Sequence, residues 1–237
     1  MLEIPEAAAV SRQLNQTLQG RSIRKVVANY SPHKFAWYFG NPENYPFLLS
    51  GRRLKTAVPF GGFIELQAEE DLRILFQDGV NLRLLPPGSK PPQKHQLFME
   101  LDDGSCLTSS IQMYGGIMAF REGENDNPYY LAAKEKVSPL TKDFHEAYFE
   151  SLFSCNNFSK LSVKAFLATE QRIPGLGNGV LQDILWNAHI HPKQKMGVLY
   201  DHELELLFHS VKDTLADMAR KQGRDTEKDL FGRSGGY

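Results

Sequence analysis

The chain has 237 residues, a length that suits one large domain or two small ones. It carries 27 Lys and Arg against 28 Asp and Glu, and 41% of its residues are hydrophobic, which excludes a wholly disordered chain. No apolar run approaches the roughly 20 residues that span a bilayer, and the N-terminal sequence lacks the pattern of a secretory signal. We therefore expect a soluble, cytoplasmic protein.

The potential metal ligands are few and scattered. Cys106 and Cys155 lie far apart and outside any CxxC pattern, so they could form at most one bridge. This excludes a disulfide scaffold and a four-cysteine zinc site in these residues. His189 and His191 form an HxH pair, but no third ligand is indicated beside them. The sequence therefore predicts no metal site in this chain.

The charges are unevenly distributed along the chain. Residues 1–60 carry 8 basic and 3 acidic side chains, residues 61–159 carry 8 and 15, and residues 160–237 carry 11 and 10. A basic segment at one end permits a local anionic partner although the net charge is near zero. Charged faces are often only solvated, however, so this pattern does not by itself choose a function.

The N-terminal half is predicted to contain one helix and then strands. Apolar residues recur at helical spacing over residues 6–19, with Pro5 in the first turn and Gly20 after the end. Turn signals such as Asp78-Gly79 separate the β-prone runs that follow. Together they predict an antiparallel sandwich. The runs are 23–28, 63–67, 72–76, 80–85, 97–101 and 106–113.

The C-terminal half is predicted to be helical. Residues 122–140 are rich in Gly, Asn, Asp and Pro without periodicity and are the best candidate for a linker. Beyond them, apolar side chains share helix faces around residues 144–152 and 204–218, with Asp201 as a candidate N-cap and Gly223 closing the last helix. The chain is thus predicted to be an α+β protein with a β-sandwich domain at 1–121 and a helical domain at 141–237.

Residues 164–192 carry the most specific pattern. Pro174 ends a first helix, Gly175 and Gly177 permit unusual backbone turns, and Asn178 stands where the N-cap of a second helix belongs. Unpaired N–H groups at that helix terminus could cradle a phosphate. The alternative is an ordinary turn between two helices.

This segment strongly resembles the helix-two-turn-helix motif of the formamidopyrimidine-DNA glycosylase and endonuclease VIII family. The resemblance extends to Glu3-Ile4-Pro5-Glu6, to Asn81-Leu82-Arg83 with the later Lys94-His95, and to the closing residues 223–237. It implies an N-terminal β-sandwich, a helical domain, and a DNA cleft between them.

The same resemblance implies an activity and its residues. Members of the family flip a damaged base out of the duplex, cut its glycosidic bond and cleave the abasic strand by β-elimination, because the reacting atoms cannot be reached inside the stack. Carried over by position, Lys164, Gly177 and Asn178 would hold phosphates, Glu3 would be an acid/base near the ribose, and Glu6 would support it. The implied partner is double-stranded DNA with a damaged base or abasic site, bound by a monomer in the bacterial cytoplasm.

The nucleophile departs from the family pattern. The family uses an N-terminal proline, whereas the second residue here is Leu2, so we expect Met1 to be retained. The free α-amine would then lie one residue, about 3.8 Å, further out. An α-amine with a pKa near 8 could still form a Schiff base, which makes Met1 the candidate nucleophile. Leu2 itself could simply pack against the sandwich.

Two further positions depart from the family. Gly61-Gly62 aligns with the hairpin lysine that contacts phosphate, and glycine would instead allow backbone or ligand to approach closely. The residues that fill the gap left by a flipped base should fall near Met113 and Tyr114, although either could belong to the core. Arg224 and Thr226 lie in the segment that resembles the family's lesion loop.

These departures leave two main hypotheses, beside a third one of an unrelated function on a reused fold. The first is a DNA glycosylase and abasic-site lyase that uses the amine of Met1. The second is a non-catalytic module that binds damaged DNA and has lost the nucleophile. No cofactor is expected within these residues; zinc is expected if a C-terminal finger follows Tyr237 in the native protein.

Overall fold

The computed structural model describes residues 2–154 and 157–237. Met1, the candidate nucleophile, and Cys155 lie outside the described residues. The first helix, α1, spans Ile4–Leu18, close to the predicted 6–19. Pro5 lies in its first turn, where its missing N–H leaves no helical hydrogen bond unmade. Gly20 follows the helix with a positive φ of 83°, a conformation that glycine adopts without strain.

Within the described residues, nine strands form two sheets, which confirms the predicted sandwich. The four-stranded sheet has the order β1-β7-β8-β6 and is antiparallel throughout. The five-stranded sheet has the order β2-β9-β5-β4-β3, and within it only the short β2–β9 pairing is parallel. The strands are β1 Ile23–Ala28, β2 Ala36–Trp37, β3 Leu54–Phe60, β4 Phe63–Ala68, β5 Leu72–Phe76, β6 Val80–Leu85, β7 Leu97–Leu101, β8 Cys106–Ile111 and β9 Gly115–Arg121.

One apolar core lies between the two sheets. Side chains from both sheets meet there, and α1 adds Leu14 and Leu18, which are almost completely buried. A five-residue helix, α2 (Tyr45–Leu49), adds Tyr45 and Leu49 to the same core. In β7 buried and partly buried residues alternate, so every second side chain of that strand points into this core.

Three strands were not predicted, and each has a physical reason. β2 has only two residues. β3 contains Pro59, which is tolerated because β3 lies at the edge of its sheet. β9 begins with Gly115-Gly116, a pair with low strand propensity. Glycine is needed at 116 because a Cβ there would overlap the side chain of Gln77.

The segment predicted to be a linker contains a helix, α3 (Pro128–Glu135). The side chain of Asn127 caps it by accepting hydrogen bonds from the N–H groups of Tyr129 and Tyr130. Tyr130 is buried against Phe120 of β9, on the outer face of the five-stranded sheet. This part of the chain is therefore packed onto the sandwich rather than being a free connection.

The C-terminal region is helical, as predicted. Its helices are α4 (Glu146–Ser151), α5 (Val163–Ala168), α6 (Asn178–Asn187) and α7 (Asp201–Arg220), and their apolar faces form a second core. The N-cap predictions are wrong by one residue. Gly177 and Tyr200 are the N-caps of α6 and α7, so Asn178 and Asp201 are the first helical residues.

The two regions are joined at both ends of the chain. Ile4, at the start of α1, belongs to the helical core, and its N–H donates to the carbonyl of Gly175. Near the other end, Leu230 is buried in the sandwich core and its carbonyl accepts from the N–H of Leu84. The C-terminal segment therefore packs back onto the N-terminal domain. None of the helices in the described ranges is long and apolar enough to cross a bilayer.

Candidate functional site

Glu3 joins the start of the chain to the helix-two-turn-helix segment. It is buried, and its carboxylate accepts hydrogen bonds from the N–H of Gly179 (3.0 Å) and the N–H of Val180 (2.9 Å), in the first turn of α6. The positive end of the helix dipole favours this charge. The carboxylate of the chain itself thus occupies the N–H groups of Gly179 and Val180, and phosphate binding by Gly177 and Asn178 stays a prediction.

The glycines of this segment are explained by the same contact. A Cβ at Gly177 would lie 2.7 Å from Oε1 of Glu3, and one at Gly179 would overlap the guanidinium of Arg224. Both glycines keep the backbone close enough to receive side chains from distant parts of the chain. An ordinary turn between helices does not need this, so the glycine pattern belongs to a built site.

Arg224 is the cation behind Glu3. Its Nε lies 3.0 Å from Oε1 of Glu6, its Nη2 lies 3.0 Å from Oε2 of Glu6, and its Nη1 lies 3.5 Å from Oε1 of Glu3. The side chain of Arg224 is buried and bound to both carboxylates, whereas the assignment of its segment to a lesion loop stays a prediction. Thr226, the other residue predicted there, is exposed in the segment that follows.

Glu6 is placed to support Glu3 rather than to meet a ligand. It is buried, pairs with Arg224, and accepts a hydrogen bond from the N–H of Glu3 through Oε2 (3.2 Å). The backbone of Glu3 is thereby fixed from one side while α6 fixes its carboxylate from the other. The arrangement is rigid, as a preorganised acid or base requires.

Burial raises the pKa of Glu3 above its usual value of 4.5. Arg224 and the N–H groups of Val180 and Gly179 act in the opposite direction, and the neighbouring charge of Glu6 adds to the rise. Burial has the largest effect, so the protonated form of Glu3 is more accessible than that of an exposed carboxyl. A side chain of this kind can donate or accept a proton.

Glu3 lies on the wall of a cleft of about 440 Å³ between the sandwich and the helix-two-turn-helix turn. Leu2 also lines this cleft, although it is largely buried. The N-terminal chain therefore reaches the cleft. The remaining walls come from both halves of the chain, namely Trp37, Gly62, Phe63, Gln77, Asp78, Tyr114, Asn127, Tyr129, Gln171, Gly175, Leu176 and Gly177.

The Gly61-Gly62 hairpin packs directly on the turn that precedes α6. A Cβ at Gly62 would lie 2.9 Å from the carbonyl oxygen of Leu2, and one at Gly175 would overlap the backbone nitrogen of Gly62. Gly175 also has a positive φ of 78°, so glycine is required there on two grounds. The close approach predicted for the hairpin is present, and the approaching group is the chain's own backbone.

Tyr114 and Met113 stand at the rim of the cleft, outside the core. Met113 is 68% exposed and Tyr114 is 36% exposed. The O–H of Tyr114 donates to Oδ2 of Asp78 (3.1 Å), and its ring centroid lies 6.0 Å from that of Trp37. The alternative that these two residues belong to the core is therefore wrong; their role as a wedge stays a prediction.

Asp78 and Trp37 were not recognised from the sequence. Asp78 was interpreted only as part of an Asp-Gly turn, and Trp37 lies in the two-residue strand that was missed. Burial raises the pKa of Asp78, while its hydrogen bond from Tyr114 opposes the rise. The sequence signal for Asp78 was an acidic residue in a turn directly after a β-prone run. The structure shows that this turn borders the cleft.

Lys164 and Asn178 lie together on the surface. Both are exposed and both line a second groove of about 640 Å³, beside Leu185 and Trp186. Gly177 lines the first cleft instead, so the groove and the cleft meet at the Gly177–Asn178 peptide. A linear ligand that lay along both the groove and the cleft would pass from Lys164 and Asn178 to the carboxyl of Glu3.

Away from the cleft, the described residues include one group of side chains that could ligate a metal. Glu146, Glu205 and His209 bring one ligand atom each within 4.8 Å of one another, and all three are exposed. They lie on α4 and α7, among the helices of the second core. Such exposed acidic groups are common without an ion, so they give no reason to predict a metal.

Comparisons with known proteins agree with this architecture. Residues 136–229 match the formamidopyrimidine-DNA glycosylase H2TH domain. The formamidopyrimidine-DNA glycosylase of Lactococcus lactis subsp. cremoris is 26% identical over 224 residues, which are 91% of this chain and 77% of that protein. The protein of the same name from Chloroflexus aurantiacus is 26% identical over 242 residues, covering 99% of this chain and 83% of the relative.

Solved structures share the fold. The Lactococcus lactis Fpg in complex with DNA containing an abasic site superimposes with a TM-score of 0.82 at 22% identity, covering 99% of this chain and 84% of that one. The shared fold and the matched domain thus define a protein with a helix-two-turn-helix segment. The matched domain and these relatives support the resemblance to formamidopyrimidine-DNA glycosylases that the sequence predicted.

Proposed function

We propose that this protein binds duplex DNA at damaged or abasic sites and acts on it as a DNA glycosylase and abasic-site lyase. The observation that carries the proposal is the placement of Glu3. Its carboxyl is held at the start of α6 on the wall of the cleft, next to the groove with Lys164 and Asn178. The family's named activity and the abasic DNA bound by a neighbour of the same fold support the choice of ligand.

The proposed reaction begins with the N-terminal amine. Its lone pair attacks C1′ of the deoxyribose, the glycosidic bond breaks with its electrons leaving on the base, and the departing base takes up the proton that the attacking nitrogen loses. Protonated Glu3 donates its proton to the ring oxygen as the C1′–O4′ bond opens, which leaves an iminium at C1′. The Glu3 carboxylate then accepts a proton from C2′, and the electrons of that C–H bond expel the 3′ phosphate by β-elimination. Met1 would lie within one residue of Leu2, at a Cα spacing of about 3.8 Å.

A second candidate function is binding without catalysis. It is favoured by Gly62, which stands where the family has a phosphate-contacting lysine and packs against Leu2 and Gly175. A side chain at 62 would meet the carbonyl of Leu2, so this position supplies neither a cation nor space for one. The protein would then hold damaged DNA for other proteins to process.

Borohydride trapping on a duplex with one abasic site tests the proposal. Borohydride reduces a Schiff base to a permanent protein–DNA crosslink, so we expect a crosslinked band with the full chain and its loss when the α-amine is acetylated. A separate binding measurement shows whether the duplex is occupied. Binding without a crosslink would exclude the Schiff-base lyase and favour the second candidate, whereas absence of binding would remove both.

The groove beside the cleft gives a second prediction. Lys164→Ala should weaken binding about equally for all DNA sequences and reduce the slope of log Kd against log salt by about 1, because one phosphate contact is lost. Asn178→Ala should weaken binding with the slope unchanged, because it removes a neutral donor. Filter binding across a salt series measures both.

Lys25→Ala is the matched control for these variants. Lys25 is exposed on β1, in the four-stranded sheet, and its loss changes the net charge by the same amount as the loss of Lys164. If the Lys25 and Lys164 variants bind alike, the groove does not contact phosphate.

A further inference from the structure

The cleft beside Glu3 is lined without a cationic side chain. Among the residues of 2–154 and 157–237 that form its walls, Glu3 and Asp78 are acids, and none is Lys, Arg or His. A DNA strand carries one negative phosphate with every nucleotide, and phosphate contacts set the position of the strand on a protein. If an abasic sugar reaches Glu3, the phosphates on either side of it must therefore find neutral donors in these walls.

The amide of Asn127 is one such donor, and α3 fixes its orientation. Its Oδ1 accepts from the N–H of Tyr129 (2.9 Å) and from the N–H of Tyr130 (3.3 Å). An N-cap needs an acceptor, so Oδ1 faces the helix and the cap leaves the two N–H donors of Nδ2 unused. Asn127 is half-buried and lines the cleft. What it can offer a ligand there is a donor.

The amide of Gln171 reaches the cleft from the turn between α5 and α6. Glu170 and Gln171 both have a left-handed φ, 57° and 50°, which is strained for residues other than glycine. Arg172 holds this turn, because its buried guanidinium places Nη1 3.2 Å from the carbonyl oxygens of Phe166 and Thr169. The fixed turn keeps the half-buried Gln171 at the cleft wall.

Both amides come from segments that pack on the Gly61-Gly62 hairpin. The turn that carries Gln171 continues to Gly175, where a Cβ would overlap the backbone of the hairpin. In the first turn of α3, the ring centroid of Tyr130 lies 6.3 Å from that of Phe63, the residue after the hairpin. The two donors are thus held next to one short stretch of the cleft wall.

Gln77 carries the third amide side chain of the cleft, but it is engaged elsewhere. Its Nε2 lies 3.9 Å from Sδ of Met118, and a Cβ at Gly116 would overlap the same side chain. Gln77 therefore belongs to the packing between β5 and β9, which leaves the other two amides for a ligand.

We infer that Asn127 and Gln171 bind a phosphate next to the abasic sugar, as neutral donors in a cleft whose described walls carry no cationic side chain. The inference rests on the proposed binding of damaged DNA and names two residues that position the strand in that site. A neutral donor releases no counterion, so these contacts add affinity without adding to the salt dependence of binding. They concern binding, so the inference holds for either candidate function.

The test is a double-mutant cycle between protein and DNA. The duplexes carry a tetrahydrofuran abasic analogue, and either flanking phosphate is replaced in turn by an uncharged methylphosphonate. Gln171→Met removes the donor at similar length, and Asn127→Ser removes it while a hydroxyl still caps α3. With the unmodified duplex each variant should raise Kd about fivefold or more, with an unchanged salt slope. When the contacted phosphate is replaced, the same substitutions should change Kd less than about twofold.

Gln16→Met, at an exposed site on α1, is the matched control and should bind every duplex like the wild type. Thermal melting verifies that the variants are folded. Gln171→Gly is a second variant for the same position, because glycine adopts a left-handed φ without strain and removes the whole side chain. It should show the same dependence on the methylphosphonate as Gln171→Met.

The outcomes separate the inference from the proposed function. A wild-type protein that binds abasic and undamaged duplex equally would overturn the proposed function. Selective binding of the abasic duplex, with folded variants that bind it like the wild type, would overturn the role of the two amides and leave the proposed function standing. An increase in Kd that is the same for all the duplexes would also overturn it, because the lost contact would not be to either phosphate.

Discussion

Arg224→Met is expected to lower the free energy of unfolding by about 3–5 kcal/mol, because it leaves two buried carboxylates without their cation. Arg224 contacts both Glu3 and Glu6, and all three side chains are buried between α1, α6 and the C-terminal segment. Methionine has a similar length, so the cavity it leaves is small and the loss reports mainly on charge. Denaturant unfolding at neutral pH, followed by far-UV circular dichroism, measures it.

The loss should shrink as the pH falls. Removing Arg224 removes a cause that lowers the pKa of Glu3, so that pKa rises further above 4.5 in the folded variant. A carboxyl with a raised folded pKa contributes stability that is fully present below its unfolded pKa and is lost as the pH rises through the folded value. The variant should therefore approach the wild type toward pH 4.5 and fall furthest behind above the raised pKa.

Arg220→Met provides the control, because the Arg220 side chain is 74% exposed and its ion pair with Asp217 is on the surface. Such pairs contribute about 0–1 kcal/mol, so little change is expected. Equal losses for Arg220 and Arg224 at neutral pH, or a loss at Arg224 that does not vary with pH, would contradict the buried-charge explanation.

Much of the fold was predictable because its strands and helices have regular apolar periods. β1, β5, β6 and β7 have the predicted bounds, and the face of α7 is the apolar stripe read from the sequence. The errors occur where tertiary contacts override local preference. β9 begins with two glycines that its neighbours require, and α3 forms in a segment of loop-like composition because Tyr130 packs on the sheet.

The candidate site was predictable in its residues but not in its connections. The chain order gives no sign that Glu3 would cap α6, since 176 residues separate it from Gly179. Nor does it indicate that Arg224 would pair with Glu6, 218 residues away. Arg224 was assigned to a loop near the lesion on the resemblance of residues 223–237 to the family's lesion loop. Its burial is decided by carboxylates at the other end of the chain.

Residues that serve two roles were the hardest to recognise. Asp78-Gly79 is a turn by composition, and it is a turn in the structure, so nothing local indicates that the carboxylate also faces the cleft. Trp37 belongs to a strand too short to have a period. Both are functional candidates only because Tyr114, the residue before β9, lies between them.

Glu3→Gln is expected to lower the rate of abasic-strand cleavage about 100-fold or more, because the amide cannot donate the proton that the ring oxygen takes. The amide oxygen still accepts one of the two N–H groups of α6, so the fold should persist with a reduced Tm. The Kd for abasic duplex should change little, and a loss of rate without a loss of binding marks an interaction made in the transition state. Single-turnover cleavage gives the rate, and anisotropy gives the Kd.

The pH profile separates a catalytic role of Glu3 from a structural one. If protonated Glu3 is the acid, the wild-type rate should fall as the pH rises through its pKa, and burial raises that pKa above 4.5. The glutamine variant should lack this fall of the rate with rising pH. Glu135→Gln, at an exposed site on α3, should keep both the fall and the wild-type rate. A glutamine variant that cleaves at the wild-type rate would remove Glu3 from the reaction. A slow glutamine variant whose rate still falls with rising pH would show that Glu3 has only a structural role in the cleft. A merely structural side chain cannot set the pH at which the rate falls.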